Sequence, residues 1–259
     1  MVFDSHTHYD DEEFKEDREE LLSSMNRNGI EYIVNVGASM QTSKASIELA
    51  EQYAFIYAAV GVHPGEVEEL CDEDMNRLRT YSGHEKVVAI GEIGLDYHYS
   101  EPEKDVQKKW FRHQLDIAAD VRLPVIIHSR DAANDTLELL KEYDGRIQGG
   151  VIHCFSYSPQ MAEEYLKMGY YIGIGGVLTF KNARKLKEVA EIVPIEKIVI
   201  ETDCPYLSPE PHRGERNNSL NLLYVVAELA KIKGLPDKEV ISVTCRNAMK
   251  LYGIGCKEN

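Results

Sequence analysis

The chain has 259 residues, with 29 Lys or Arg against 44 Asp or Glu, and so carries a formal charge of −15. That length suffices for one large core, while the charge excludes a grip along a long polyanion, which needs a basic face. No apolar run approaches the roughly 18 residues that span a bilayer, and the scattered Cys71, Cys154, Cys204, Cys245 and Cys256 form neither a disulfide framework nor a C-x-x-C pair.

The N-terminal segment Met1-Val2-Phe3-Asp4-Ser5-His6 lacks a basic stretch followed by an apolar one. The expected address is therefore cytoplasmic, with no membrane and no obligate protein partner. Short apolar, β-branched runs predict strands over 2–6, 32–36, 56–62, 87–91, 124–128, 150–153, 170–174 and 198–201. Each is nearly continuously apolar, as a strand covered on both faces must be. Helical periodicity lies between them, over 14–28 ended by Gly29, 104–121, 131–143 ended near Gly145, and 158–168 ended by Gly169. Two further helical stretches, 219–233 and 237–252, follow the last strand. The glycines stand where a left-handed helix C-cap is wanted. Strand then helix, eight times over, predicts an α/β fold: a single (β/α)8 TIM-type barrel over residues 1–259, with its active site at the C-terminal ends of the strands. A doubly wound open sheet would carry a Gly-rich phosphate loop after its first strand, and none is present. The acidic run 10–20 reads as a solvated helix face, and Trp110 as core.

The metal-capable side chains share one position relative to these strands. His6 and His8 close the first, His63 follows the third, Glu92 follows the fourth, His128 ends the fifth, His153 ends the sixth and Asp203 follows the eighth. A single histidine is more often a satisfied core or surface residue than a ligand. Here five of the nine histidines gather on the face where barrel enzymes build their sites, which chance explains poorly. In His6-Thr7-His8 the alternation of a strand turns both imidazoles to one side, into one coordination sphere. Imidazole with carboxylate suits Zn2+, Mn2+, Fe2+ or Co2+. The ligands outnumber those of one tetrahedral ion, which two metals sharing a bridging carboxylate would explain; a single ion is the alternative.

In order along the chain stand DSHTHYD (4–10), GVHPGE (61–66), IGEIGLDYHY (90–99), LPVIIHSRDA (123–132), GVIHCFSYS (150–158), LTFKNA (178–183), ETDCPYLSPEPHRGERN (201–217) and RNAMKLYG (246–253). Over essentially its full length the chain thereby resembles the TatD-type metal-dependent deoxyribonucleases of the amidohydrolase-like barrel superfamily. The resemblance implies two divalent ions per chain (Zn2+, Mn2+ or Mg2+), one on His6, His8, Glu92 and Asp203, the other on Glu92, His128 and His153, with Glu92 bridging. It implies a metal-dependent hydrolase, a deoxyribonuclease that cuts phosphodiester bonds at single-stranded DNA or oligonucleotide ends with metal-activated water. Glu92 and Asp203 are the expected catalytic residues, Asp203 as the general base. His63, Arg130, Arg213 and Arg216 are the expected substrate-binding residues, the arginines as bidentate phosphate partners, and Lys181 joins them.

Cys154 and Cys204, next to His153 and Asp203, read as bystanders. Tyr97, His98 and Tyr99 read as loop packing or as a surface on which a base stacks. Gly65, Tyr157 and Asn218-Ser219 depart from the family's usual residues, in loops placed to touch substrate. Two other functions stay open: the same metals acting on another ester or amide, such as an aminoacyl ester on a nucleic acid, and a non-catalytic, metal-containing binding protein. The intact ligand set argues against the second.

Overall fold

The computed structural model describes residues 1–255; Cys256 lies outside them. Eight parallel strands, β1 (Val2–Thr7), β2 (Ile30–Val36), β3 (Ile56–Val60), β4 (Val87–Asp96), β5 (Val125–Arg130), β6 (Gly150–Ile152), β7 (Tyr171–Ile174) and β8 (Ile198–Ile200), pair in chain order. The intervening helices are α1 (Arg18–Ser24), α2 (Met40–Gln52), α3 (Asp72–Ser82), α4 (Lys104–Val121), α5 (Ala133–Glu142), α6 (Pro159–Lys167) and α7 (Arg184–Ile192). Helices α8 (Leu222–Lys233) and α9 (Asp237–Tyr252) complete the chain. No helix among the described residues is long and apolar enough to cross a membrane.

The seam between β8 and β1 is narrow and depends on side chains. One parallel bridge, Thr7 to Cys204, joins the strand ends. Asp4, wholly buried, accepts the Thr202 N–H at 3.0 Å and the Thr202 and Ser219 hydroxyls at 2.7 Å each, and Ser5 donates to the Ile200 carbonyl at 3.0 Å. These bonds satisfy buried polar groups that a full ladder would otherwise have paired. They also hold His6 and Asp203 side by side, with the Asp203 N–H donating to the His6 carbonyl at 3.0 Å.

Helices bury one stripe against the outside of the barrel; α4 does so with Trp110, Phe111, Leu115 and Ala118, spaced at three to four residues. A separate apolar cluster takes residues from every strand, among them Phe3, Val34, Ala59, Ala89, Ile126, Val151, Tyr171 and Val199. A cluster that touches all eight strands and none of the first eight helices is the barrel interior. Helix α9 reaches it with Ala248, Leu251 and Tyr252, and is anchored by Asn247 donating to the Ile195 and Ile198 carbonyls, both at 2.7 Å.

Three expectations are corrected. The helix expected over 14–28 is broken: a 3-10 turn at Glu12–Phe14, then α1, then a second 3-10 turn at Asn26–Asn28. The acidic run 10–20 is accordingly not one solvated helix face. Asp10 accepts from Asn35 Nδ2 at 2.7 Å, and Asp10, Asp11 and Glu12 line the cavity described below. Strand β4 runs to Asp96 rather than stopping at residue 91, with all ten residues buried. The expected strand ended on Gly91, but Gly94 permits close strand contact beyond it: a Cβ on Gly94 would lie 1.9 Å from the His128 carbonyl oxygen. Glu92 is thereby inside the strand, at a register shift between Ile90 and Ile93.

Candidate metal centre

Glu92 stands at the middle of the site, 4% exposed, with its two oxygens facing different neighbours. Oε2 lies 3.5 Å from His6 Nε2 and 3.9 Å from His8 Nε2. Oε1 lies 2.7 Å from His128 Nδ1 and 3.7 Å from His153 Nε2. Asp203 Oδ1 completes the first group, 3.4 Å from His8 Nε2 and 3.7 Å from His6 Nε2, and it is also 3.7 Å from His153 Nε2. The rings of His6 and His153 stack at 3.6 Å between centres.

The strands explain the convergence. His6 is the last residue but one of the fully buried β1 and His8 follows two residues on, so both rings turn inward as strand parity requires, with their Nε2 atoms 3.1 Å apart. His8 Nδ1 is held by the Val36 carbonyl at 2.8 Å, which makes Nδ1 a donor and turns Nε2 toward Asp203. Asp203 sits at φ +57, in the left-handed region that non-glycine residues seldom occupy, and such strain concentrates at functional sites.

Protonation follows from position. Burial works against charge on His8, His128 and His153, but the surrounding carboxylates outweigh it and push the first two up to about 9 and the third up to about 10. Burial likewise opposes charge on Glu92 and Asp203; the facing histidines overcome it and hold both below the usual carboxylate range. Burial lowers His6 and takes His63 down to about 4.

The donors fit a metal ion. An ion about 2.0–2.2 Å from four tetrahedral ligands separates those ligands by about 3.4 Å, and the five contacts among His6, His8, Glu92 Oε2 and Asp203 span 3.1–3.9 Å. Two imidazole Nε2 atoms meet there with two carboxylates, and His6 Nδ1 is buried without a partner. A second set, His63, Glu92 and His128, also offers donor atoms all within 4.8 Å of one another. His153 stands between the two sets through Glu92 and Asp203.

The remaining expected residues are placed as follows. His63 caps a 3-10 turn, its Nδ1 accepting the Gly65 N–H at 3.0 Å, and lines the cavity beside His128, with ring centres 4.3 Å apart. Arg130, at the exposed end of β5, lies with its Cζ 5.7 Å from the Tyr99 ring centre. Arg213 and Arg216 line a neighbouring cavity rather than that of the donors. The Arg216 fork is taken by Asp17 at 2.5 and 2.8 Å and by the Glu13 carbonyl at 2.6 Å, over the Phe14 ring. Tyr97 is loop packing, its hydroxyl on Asp135 and Lys104 over its ring, and Trp110 is core, 3% exposed.

Three buried carboxylates escaped the sequence reading. Asp4 holds the seam. Asp96 Oδ2 lies 3.2 Å from His128 Nε2. Glu201, 1% exposed, lies with Oε1 3.1 Å from His153 Nδ1, a short but poorly aligned contact, and accepts the Cys154 N–H at 2.5 Å. A signal for them existed in even spacing: Asp4 precedes His6 by two, Asp96 follows Glu92 by four and Glu201 precedes Asp203 by two.

Eight parallel strands whose carboxyl ends converge imidazoles on a shared carboxylate define a barrel metallohydrolase site. The model of the family described as TatD related DNase matches residues 3–253, and the chain belongs to that family. A Bacillus subtilis protein named as an uncharacterized metal-dependent hydrolase, YabD, is 44% identical over 254 residues, covering 98% of this chain and 100% of its own. The Citrobacter rodentium protein named 3'-5' ssDNA/RNA exonuclease TatD is 32% identical over 262 residues, 99% of each chain. The crystal structure of the Escherichia coli K12 TatD homologue YjjV superposes with a TM-score of 0.91 at 32% identity, over 97% of this chain and 98% of that one. The protein is thus a metal-dependent hydrolase of the TatD family.

Proposed function

We propose that the protein is a two-metal phosphodiesterase that removes nucleotides from the ends of single-stranded DNA. The observation that supports two ions rather than one is Glu92, whose separate oxygens face separate donor groups. One ion would be held by His6, His8, Glu92 and Asp203, the other by Glu92, His128 and His153. Divalent ions so bound would make water nucleophilic near neutral pH and offset charge gathering on the phosphoryl oxygens.

The chain's own groups do the rest. Asp203, kept ionised by the histidines around it, accepts the proton of the attacking water as general base. His63 is neutral at pH 7, and because its Nδ1 accepts from Gly65, its hydrogen sits on Nε2, where it donates to a phosphoryl oxygen of the substrate. Asp96, on Nε2, orients His128 so that Nδ1 meets Glu92, and Glu201, beside Nδ1, orients His153. Arg213 and Arg130 supply phosphate contacts. Arg216 contributes by holding Asp17 and the residues around the cavity mouth.

Charge supports a strand end over a long duplex. The cavity's β1 side carries Asp10, Asp11 and Glu12, which repel a continuous phosphate backbone. The test is metal-dependent release of mononucleotides from a single-stranded oligonucleotide, followed across salt. Two or three held phosphates give a log-log slope of about 2 or less at roughly 0.7 per phosphate. A slope of about six, or equal cutting of closed circular DNA, would contradict the end-specific reading.

A further inference from the structure

Tyr206, in the loop after β8, is the one residue that lines both the donor cavity and the neighbouring cavity of about 500 Å3 that contains Arg213. It is 50% exposed, an unusual place for a large aromatic ring, and it is fixed at both ends. Its N–H donates to the Asp203 carbonyl at 2.9 Å and its hydroxyl donates to Asp11 Oδ2 at 3.0 Å. The ring centre lies 6.4 Å from that of His8. The next residue, Leu207, has φ +53, a left-handed conformation that a branched side chain resists, and it is 38% exposed as well. Its carbonyl occupies space that only glycine leaves free, since a Cβ on Gly176 would lie 2.1 Å away. A strained backbone thus holds an aromatic face in solvent beside a candidate metal ligand.

Across that second cavity the Arg213 guanidinium lies 4.3 Å from the centre of the Phe180 ring, with no ion pair among the described residues. Fixed aromatic faces beside an available guanidinium are the chemistry that takes single-stranded nucleic acid, because every base has a face to stack and every linkage an anion to pair.

We propose that Tyr206 is the base-stacking platform of this site: it carries the base of the nucleotide that adjoins the scissile phosphodiester on the retained strand, and Arg213 takes that strand's next phosphate. The assignment rests on the phosphodiesterase reading. A ring already held by Asp11 and Asp203 loses little freedom on binding, so stacking acts mainly on KM.

The experiment compares the parent chain with Tyr206→Ala and Tyr206→Phe on a short single-stranded oligonucleotide and on the same oligonucleotide with an abasic penultimate nucleotide, each end tested. Metal uptake and circular dichroism are measured for all three proteins. Tyr206→Ala should raise KM for the intact oligonucleotide about 5- to 150-fold, the range for one lost base stack, and change kcat less. Tyr206→Phe, which keeps the face, should fall between parent and Ala. The parent should lose a similar factor on the abasic substrate, and Tyr206→Ala should lose no more on it. Equal losses on intact and abasic substrates, or an unchanged KM, overturn the stacking role alone. Failure of the parent to cut either oligonucleotide with metal present overturns the phosphodiesterase reading and the stacking role together.

Discussion

Replacing Glu201 with Gln should weaken metal binding on the His153 side about 10- to 100-fold while the barrel stays folded. The carboxylate is buried against β6 and β7, with Oε1 on the Cys154 N–H at 2.5 Å and 3.1 Å from His153 Nδ1. Glutamine keeps the volume and, through its amide oxygen, the bond to Cys154. What it removes is the charge that favours a proton on Nδ1 and so presents Nε2 to Glu92 and Asp203. Loss of such a partner to a ligating histidine typically lowers metal affinity by one to two powers of ten, about 1.4–2.7 kcal/mol. Gly173→Ala attacks the same carboxylate from below. Its Cβ would come to 2.7 and 2.8 Å from the Glu201 oxygens, against the 3.4 Å at which ordinary contact begins. The side chain must then retreat by about 0.7 Å, and overpacking of this kind costs about 1–3 kcal/mol. Isothermal titration of chelator-stripped protein with Zn2+ or Mn2+, beside urea unfolding, reads both effects. If Glu201→Gln takes up the same number of ions with unchanged affinities, His153 is oriented by something else and the reasoning fails.

Asp203→Asn, assayed at saturating metal, should lower kcat by about 10²-fold or more, the range for a lost general base, with little change in unfolding midpoint; near-normal turnover would remove Asp203 from that role. Metal binding at pH 7 should release protons from metal-free protein, since His8, His128 and His153 titrate at about 9, 9 and 10 and are protonated there, whereas a ligand must offer its lone pair. Affinity should therefore rise as pH is raised from 7 toward 9. Uptake in weak buffer with a pH indicator measures this, and binding without acidification contradicts it. Gly94→Ala should destabilise the fold by at least about 3 kcal/mol, because the new methyl meets the His128 carbonyl at 1.9 Å at a residue with φ +149. An unchanged urea midpoint would show that β4 and β5 can separate there without loss.

Strand and helix alternation was legible in the chain because it is written in local periodicity and local stops. Continuous apolar runs such as 198–201, and glycines such as Gly29 and Gly169, need no distant partner to be read. Parity brought His6 and His8 to one side for the same reason. Closure of the barrel settled what periodicity leaves open, which is the identity of partners. The register shift at Gly91-Glu92 and the close approach at Gly94 extend β4 and turn Glu92 into the centre of the site, where the sequence suggested a strand already ended. Arg213 and Arg216 look alike in one loop, yet Asp17, 199 positions away, takes the fork of Arg216 and leaves Arg213 over Phe180. Asp96 became a partner of His128 only once β4 met β5, Glu201 a partner of His153 only once β8 and β6 both met β7, and Tyr206 reached Asp11 only once β8 met β1. A residue's chemistry and the face it occupies are local properties of a strand. Its neighbour across the barrel depends on a contact made over most of the chain's length, which local patterns do not encode.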